Sequence, residues 1–474
     1  MKEIFTLDKL QKSQKIILIF VLFFFYFYYF ASSSGRNGSN DGGHLALASA
    51  MYYDHELSVE KYMGTYLSKP DYAVKDGVIY SDRLPGNAFS IIPFLFYSDL
   101  IKPVLPKKTQ EKSDYNFISA TLFPNICGVL GLYLLFVLSF KVFLFDYTKS
   151  LILLIIAGLA TLNQMESTHL YSHAPSMVLI TLAVTIALLI KDKSEWKKEL
   201  YIISGIIGFS TIVELQNILF LAPIYAYVVF QHKAHLDIKK LINPTLISIG
   251  IVSFFVGILV FYNYITFGEI FLKSNKYNPF FEEEKSFLTA LSGNFFDGFD
   301  NLFTSFKNLK SNIDWSLAVN NGTPGILAAN PVFIFSVTGF FFFYKKHKLE
   351  SILFLTIISI AVLIAAFHVT TLVRHMFTIH MLLFFPFVFF MQWVSEQPKK
   401  KAFIWHFLLT ATFFLSFTKE VYLNNHYWGR NYGFFHFEYF KNIDLFIFLN
   451  IPIILLLLIR FMLKKNSPKT DDLF

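Results

Sequence analysis

The sequence predicts an all-α polytopic membrane protein, a bundle of about twelve transmembrane helices with a long first outer loop carrying interfacial helices. Three observations predict it. Of the 474 residues, 54% are hydrophobic and only 16% are charged, whereas a soluble chain is nearer a quarter charged. The apolar residues come in blocks separated by short charged tracts, as in a chain that crosses a bilayer repeatedly. Lys and Arg alternate between dense and sparse from one tract to the next, as the positive-inside rule requires.

The first block, Ile16 to Ala31, follows Lys2, Lys9, Lys12 and Lys15. It is rich in aromatic residues, slightly long for a signal-peptide core, and lacks a small-x-small cleavage pattern after it, so it reads as an uncleaved span. The other blocks are Phe117 to Phe145, Leu151 to Leu162, Met177 to Ile190, Tyr201 to Ile212 and Leu215 to Phe230. They continue with Leu241 to Ile265, Ile326 to Tyr344, Ile352 to Phe367, Phe377 to Trp393, Phe403 to Phe417 and Ile443 to Leu463. Several are shorter than the roughly 20 residues that cross a bilayer, so the expected count is about eleven to thirteen.

With the N-terminus in the cytoplasm, the inner loops are DYTKS, KDKSEWKKE, QHKAHLDIKK, KKHK, QPKKK and the tail KKNSPKTDD. The short outer loops NQMESTHLYSHAPS, VELQN and HVTTLVRH hold one Lys or Arg between them, Arg374. Both termini are then cytoplasmic. The net charge of +8 belongs to these topology tracts, and no nucleic-acid partner is expected. A single cysteine, Cys127, allows no intrachain disulfide.

Three outer segments are long: residues 32–116, 266–323 and 419–444. In the first, Leu45 to Tyr53 places Leu45, Ala48, Ser49 and Tyr52 on one helical face, which suits a helix on the membrane surface. Phe89 to Leu100 is apolar nearly all round and is expected to dip into the interface. The polar motifs therefore fall on the outer face.

NDGGH, Asn40 to His44, lies just past the first span. Asp41 there admits two readings, a general base toward a hydroxyl acceptor or a cap on the following helix. In DGVIYSDRLPG, Asp76 to Gly86, Asp76-Gly77 marks a turn, and Tyr80, Ser81, Asp82 and Arg83 precede a second break at Pro85-Gly86. Arg83 suits a forked grip on phosphate or ordinary snorkelling to headgroups. Glu166, His169 and His173 lie in one short outer loop, Glu214 and Gln216 in another, and Arg374 and His375 in a third. Ionisable groups at such depth face a cavity or one another, although a polar helix-hairpin turn also accounts for Glu214. The His169/His173 spacing permits a metal, but no HExxH-like context supports one. Glu282 to Glu284 read as a solvated run. The aromatic stretch Asn424 to Phe440 reads as an interfacial belt or an acceptor site.

Together these motifs resemble the GT-C class of membrane glycosyltransferases, in particular the dolichyl-phosphate-mannose–protein mannosyltransferase and aminoarabinose-transferase-like families. Asp41-Gly42-Gly43-His44-Leu45-Ala46-Leu47-Ala48 is similar to the class's acidic residue, short Gly/His segment and helix, and DGVIYSDRLPG to an element DG-x-x-YS-x-K/R-x-PG. Ser172-His173-Ala174, Glu214-Leu215-Gln216-Asn217 and Arg374 are shorter echoes. The strong part covers about residues 40–100. The resemblance implies a GT-C-like bundle in a bacterial inner membrane, with an extracytoplasmic active site. It further implies a polyprenyl-phosphate-linked sugar as donor, a hydroxyl acceptor and inversion in a single displacement. Asp41 would be the catalytic base, and Arg83 and Arg374 would hold the donor phosphate. His44, Tyr80, Ser81, Asp82, His173, Glu214, Gln216 and His375 would bind substrate or support the site. Many members carry two adjacent acids where this chain has Asn40-Asp41-Gly42, so no clear ligand set marks a site for Mg or Mn and no cofactor is assigned.

Two other classes compete. A transporter or lipid flippase also has about twelve spans, but places its broken helices near the midplane in related halves, and no halves are visible here. A polysaccharide polymerase or ligase would take lipid-diphosphate oligosaccharides instead.

Overall fold

A computed structural model describes residues 7–32, 39–104, 114–190, 196–232, 239–270, 274–280, 295–303, 325–367 and 373–423. Among these, six helices are long and apolar enough to cross a membrane: Lys12–Phe30, Ser119–Val142, Leu241–Phe267, Lys348–Phe367, His375–Ser395 and Lys399–Thr418. Tyr147–Leu159, His173–Leu189 and Leu215–Gln231 are shorter apolar helices. Two further helices, Trp196–Val213 and Phe333–Lys346, fall on predicted spans. The last predicted span, residues 443–463, and the aromatic stretch at 424–440 lie outside the described residues, as does the acidic run at 282–284.

Local chemistry sets the boundaries. Asp146 caps Tyr147–Leu159 by accepting from the Lys149 amide at 2.8 Å. Pro331 separates the short helix Ile326–Ala329 from Phe333–Lys346, so this block is two pieces instead of one. Pro386 likewise stands between His380–Phe384 and Phe387–Ser395. The bundle core is an aromatic-rich cluster running from Leu10 in the N-terminal segment to Phe417 in the last described helix.

The long segment after the first helix has a small core of its own. Leu45, Leu47, Tyr62, Tyr66, Leu67 and Ile91 pack there with Phe117, Leu170 and Tyr262 of the bundle. Asp76 and Gly77, with φ of 52° and 81°, form the two-residue turn of a hairpin in which Ala73–Lys75 pairs antiparallel with Val78–Tyr80. Asp-Gly is the residue pair such a turn favours, because both positions need positive φ. The hairpin delivers Ser81 to Arg83, and then Pro85 opens the helix Pro85–Ile101 at its first position.

Two details differ from expectation. The helix of the first loop runs Ser39–Ser49 and continues as a π-turn, Ala50–Asp54, so it starts before the apolar stretch at 45–53. Asp41 to Ala50 are buried in an unbroken run, with Leu45, Ala46, Leu47 and Ala48 all at 0% exposure. The burial is therefore not confined to one face. Small residues at 42, 43, 46 and 48 permit this close packing on all sides.

Helix contacts made through glycine give a first prediction. A Cβ at Gly86 would lie 2.5 Å from the carbonyl carbon and oxygen of Ile212. Because the obstacle is backbone, Gly86→Ala should destabilise by about 2 kcal/mol, read as a lower thermal midpoint of the purified protein. An unchanged midpoint would contradict this packing.

Candidate functional site

Residues from five separate elements meet at one end of the bundle. Asp41 lies in the first turn of the Ser39–Ser49 helix and is fully buried. It sits inside the helix and not ahead of it, so it is not the N-cap. A carboxylate in a first turn is stabilised by the helix dipole. His44 follows one turn later on the same side of the helix. Burial, then the positive charges of Arg83 and His173, hold its pKa well below the usual 6.5, so the ring is neutral at pH 7.

The hairpin exit is tied to this helix by backbone-directed bonds. Ser81 Oγ donates to the Gly43 carbonyl at 3.1 Å and accepts from the Arg83 amide at 3.2 Å. A Cβ at Gly43 would stand 3.3 Å from Arg83 Cγ, so the arginine stem runs along the helix. Its guanidinium pairs with Asp71 and, through Nε at 3.1 Å, with Asp82. Asn278 clamps the same corner, donating to Asp82 Oδ2 at 2.9 Å and to the Pro70 carbonyl at 2.8 Å. Tyr80 is half-buried with its ring edge-on to Phe267 at 5.7 Å. Arg83 is thus engaged by two carboxylates before any anion arrives. A phosphate must share or displace them.

Arg83→Lys tests the fork. It keeps the charge that Asp71 and Asp82 require and removes the planar two-bond geometry. For the lipid-phosphate donor that the sequence resemblance implies, the expected result is a rise of about tenfold in KM with a smaller change in kcat. Equal loss in both would assign Arg83 a purely structural role.

The third and fourth elements bring His173 and Glu214. His173 opens the helix His173–Leu189, and Glu214 is an extended residue between Trp196–Val213 and the 3-10 turn Leu215–Phe220. His173 Nδ1 lies 2.6 Å from Glu214 Oε1. Glu214 also accepts from Ser172 Oγ at 2.8 Å, Thr378 Oγ1 at 2.9 Å and Gln216 Nε2 at 3.0 Å. Burial pushes its carboxyl up, but His173 and the donor hydroxyls outweigh that and leave the pKa lowered. His375, in the 3-10 turn Val373–Ile379, places its ring 6.2 Å from that of His173. The side chain of Arg374 lies outside the described residues.

The His169/His173 pair does not converge. His169 Nδ1 faces the Met165 carbonyl at 2.6 Å, while His173 turns to Glu214. Among the described residues no group of three or more His, Cys, Asp and Glu is placed to hold a metal ion. Glu166 instead belongs to a second buried polar cluster. It is electrostatically coupled to Glu420, which accepts from Asn330 Nδ2 at 2.7 Å. Sequence reading missed Glu420 and Asn330, and it missed Asp71 and Thr378 as partners of Arg83 and Glu214. The available signal for Glu420 was an acid close after an apolar helix.

No protein-family model matches the chain, and no curated protein sequence matches it. Solved structures do. ArnT from Cupriavidus metallidurans bound to undecaprenyl phosphate superposes with a TM-score of 0.55 at 9% identity, covering 95% of this chain and 72% of that one. The same protein in the apo state gives 0.53 at 11% identity with the same coverage. The Archaeoglobus fulgidus oligosaccharyltransferase in the apo form gives 0.51 at 12% identity, covering 89% of this chain and 56% of its own length. The match extends over nearly the whole chain, and the structure is a helical membrane bundle with little sheet. The chain has the GT-C-like fold of polytopic membrane proteins.

Proposed function

We propose that this protein is an inverting glycosyltransferase that moves a sugar from a polyprenyl-phosphate carrier to a hydroxyl acceptor at the extracytoplasmic face. One observation carries the reading. His44, Arg83, His173, Glu214 and His375, drawn from separate outer segments, are neighbours at one end of a GT-C-like bundle. One of the structural neighbours holds undecaprenyl phosphate, and the sequence motifs around Asp41 and Arg83 suit the same donor chemistry.

In this scheme Asp41 accepts the proton of the acceptor hydroxyl as its oxygen attacks the anomeric carbon. The bond from that carbon to the phosphate oxygen breaks, and the electron pair leaves with the phosphate. Arg83 and Arg374 offset the departing charge in a partly dehydrated site, where fixed charge is commonly worth several kcal/mol. A single displacement needs no covalent glycosyl-enzyme and no second nucleophilic carboxylate.

The test supplies membranes containing the protein with radiolabelled sugars on polyprenyl phosphate and, in parallel, on polyprenyl diphosphate. Label should pass from the monophosphate carrier to a hydroxyl-bearing product. Transfer from the diphosphate series alone would favour a polymerase or ligase, and protein-dependent movement of the lipid without transfer would favour a flippase.

A further inference from the structure

We propose that Asn278 is a positioning residue for Arg83, fixing the plane of the guanidinium that takes the phosphate of the lipid carrier. The inference rests on the polyprenyl-phosphate reading and adds to it a residue from a distant part of the chain.

At the hairpin exit Asp71 and Asp82 stand against one Arg83. These three groups carry one negative charge in excess, so what they offer a phosphate is geometry and not net charge. A guanidinium makes its two parallel bonds to phosphate only in its own plane. That plane is set by Nε, 3.1 Å from Asp82 Oδ1, and by Nη2 on Asp71. The Arg83 side chain keeps 25% exposure, whereas that of Asp82 keeps 2%. Asp82 therefore acts on a ligand through the arginine.

Asn278 holds both arms of this arrangement. Its Nδ2 donates to Asp82 Oδ2 at 2.9 Å and to the Pro70 carbonyl at 2.8 Å. The Pro70 carbonyl and the Asp71 nitrogen belong to one planar peptide unit, so that bond fixes the backbone from which Asp71 projects. Asn278 Oδ1 accepts from the Phe280 amide at 2.8 Å, an Asx turn that presets the side chain. Two acceptors thus face the amide nitrogen and one donor faces its oxygen, which settles the orientation of the group. Asn278 is only 3% exposed, so its role is to position and not to touch substrate.

The segment around it is anchored on both sides. The Tyr277 ring stacks on Phe267 at 5.3 Å, and Phe280 lies edge-on to Tyr72 at 5.5 Å. Lys75 of the hairpin donates to the Phe267 carbonyl. These contacts keep Asn278 against the hairpin exit.

The experiment measures the affinity of the purified full chain for undecaprenyl phosphate and for undecaprenol, which lacks the phosphate. Asn278→Ala should weaken binding of the lipid phosphate about fivefold, the weight of one hydrogen bond, and leave undecaprenol unchanged. In an Arg83→Lys background the planar fork is already gone, and the same change should cost less than about twofold. Asn278→Asp keeps the shape but turns a carboxylate oxygen toward Asp82 and the Pro70 carbonyl. It should lose at least about tenfold, again only for the phosphate-bearing lipid.

No loss with Asn278→Ala, or equal losses in the wild-type and Arg83→Lys backgrounds, would overturn the inference, as would an equal fall for undecaprenol. Loss of folding by both Asn278 variants would make the residue structural and overturn it too. A wild-type chain that binds undecaprenyl phosphate no better than undecaprenol would instead remove the polyprenyl-phosphate reading, and the inference with it.

Discussion

An Asp41→Asn variant should accumulate and fold like the parent chain and lose at least about a hundredfold in transfer rate, the range that a positioned general base supplies. Asn has the shape of Asp and keeps a carbonyl oxygen, so the packing of the buried first turn is preserved. The variant removes only the charge and the ability to take a proton. Loss of the favourable first-turn charge costs stability about 0.5 kcal/mol, small against the effect on chemistry. Product formation from a labelled lipid donor, with size-exclusion and melting behaviour as controls, checks both halves. A variant within threefold of wild type (about 0.7 kcal/mol in the barrier) would take Asp41 out of the mechanism. Loss of folding would make it a structural acid. Arg83 cannot substitute as the base, because a guanidinium does not release its proton in this range.

What the sequence displays and what it conceals divides along a physical line. Apolar blocks set the helices, because burial of backbone in lipid leaves few other options. Asp76-Gly77 also announced its own geometry, since only a few residue pairs tolerate two positive φ values in a row. The turn that leads to Ser81 and Arg83 was therefore legible, but the two short strands it joins were not. The partners were not. His173 and Glu214 were each picked out as polar residues in short outer loops, but nothing in their spacing says that they bond to one another. That contact depends on how the His173–Leu189 and Trp196–Val213 helices pack. Asp71 lies a short distance upstream of Arg83 with no motif around it, and its role appears only once the hairpin folds back. Thr378 is one hydroxyl among many near membrane helices, and Glu420 is a lone acid whose partners Asn330 and Glu166 come from other helices. Long-range pairing of single polar side chains is the information a one-dimensional pattern lacks.

Substituting Gly42 with Ala should damage stability and activity together, and more than the same change at the next residue. A Cβ at Gly42 would lie 1.7 Å from the Tyr66 carbonyl oxygen and 2.7 Å from its carbon. That carbonyl belongs to a turn stitched by its own bonds: the amides of Tyr66 and Leu67 both reach the Tyr62 carbonyl at 3.0 Å, and Gly64 N reaches Leu67 O at 2.9 Å. No flexible side chain is present to give way, so the helix must retreat by more than about 1 Å to restore ordinary contact. The retreat moves Asp41 and His44 away from the hairpin exit. Overpacking of this kind costs about 3 kcal/mol, and a shift of that size at a reacting group costs about a hundredfold in rate. At Gly43 the added carbon meets Arg83 Cγ at 3.3 Å and Ser81 Oγ at 3.6 Å, mostly side-chain atoms that can adjust by a few tenths of an ångström. Gly43→Ala should therefore melt near wild type and keep most of its transfer activity. The pair is read by thermal unfolding and by label transfer in the same preparations. Equal effects at the two glycines would mean that the Ser39–Ser49 helix does not rest on the Tyr66 turn, and the placement of Asp41 relative to Arg83 would lose its foundation.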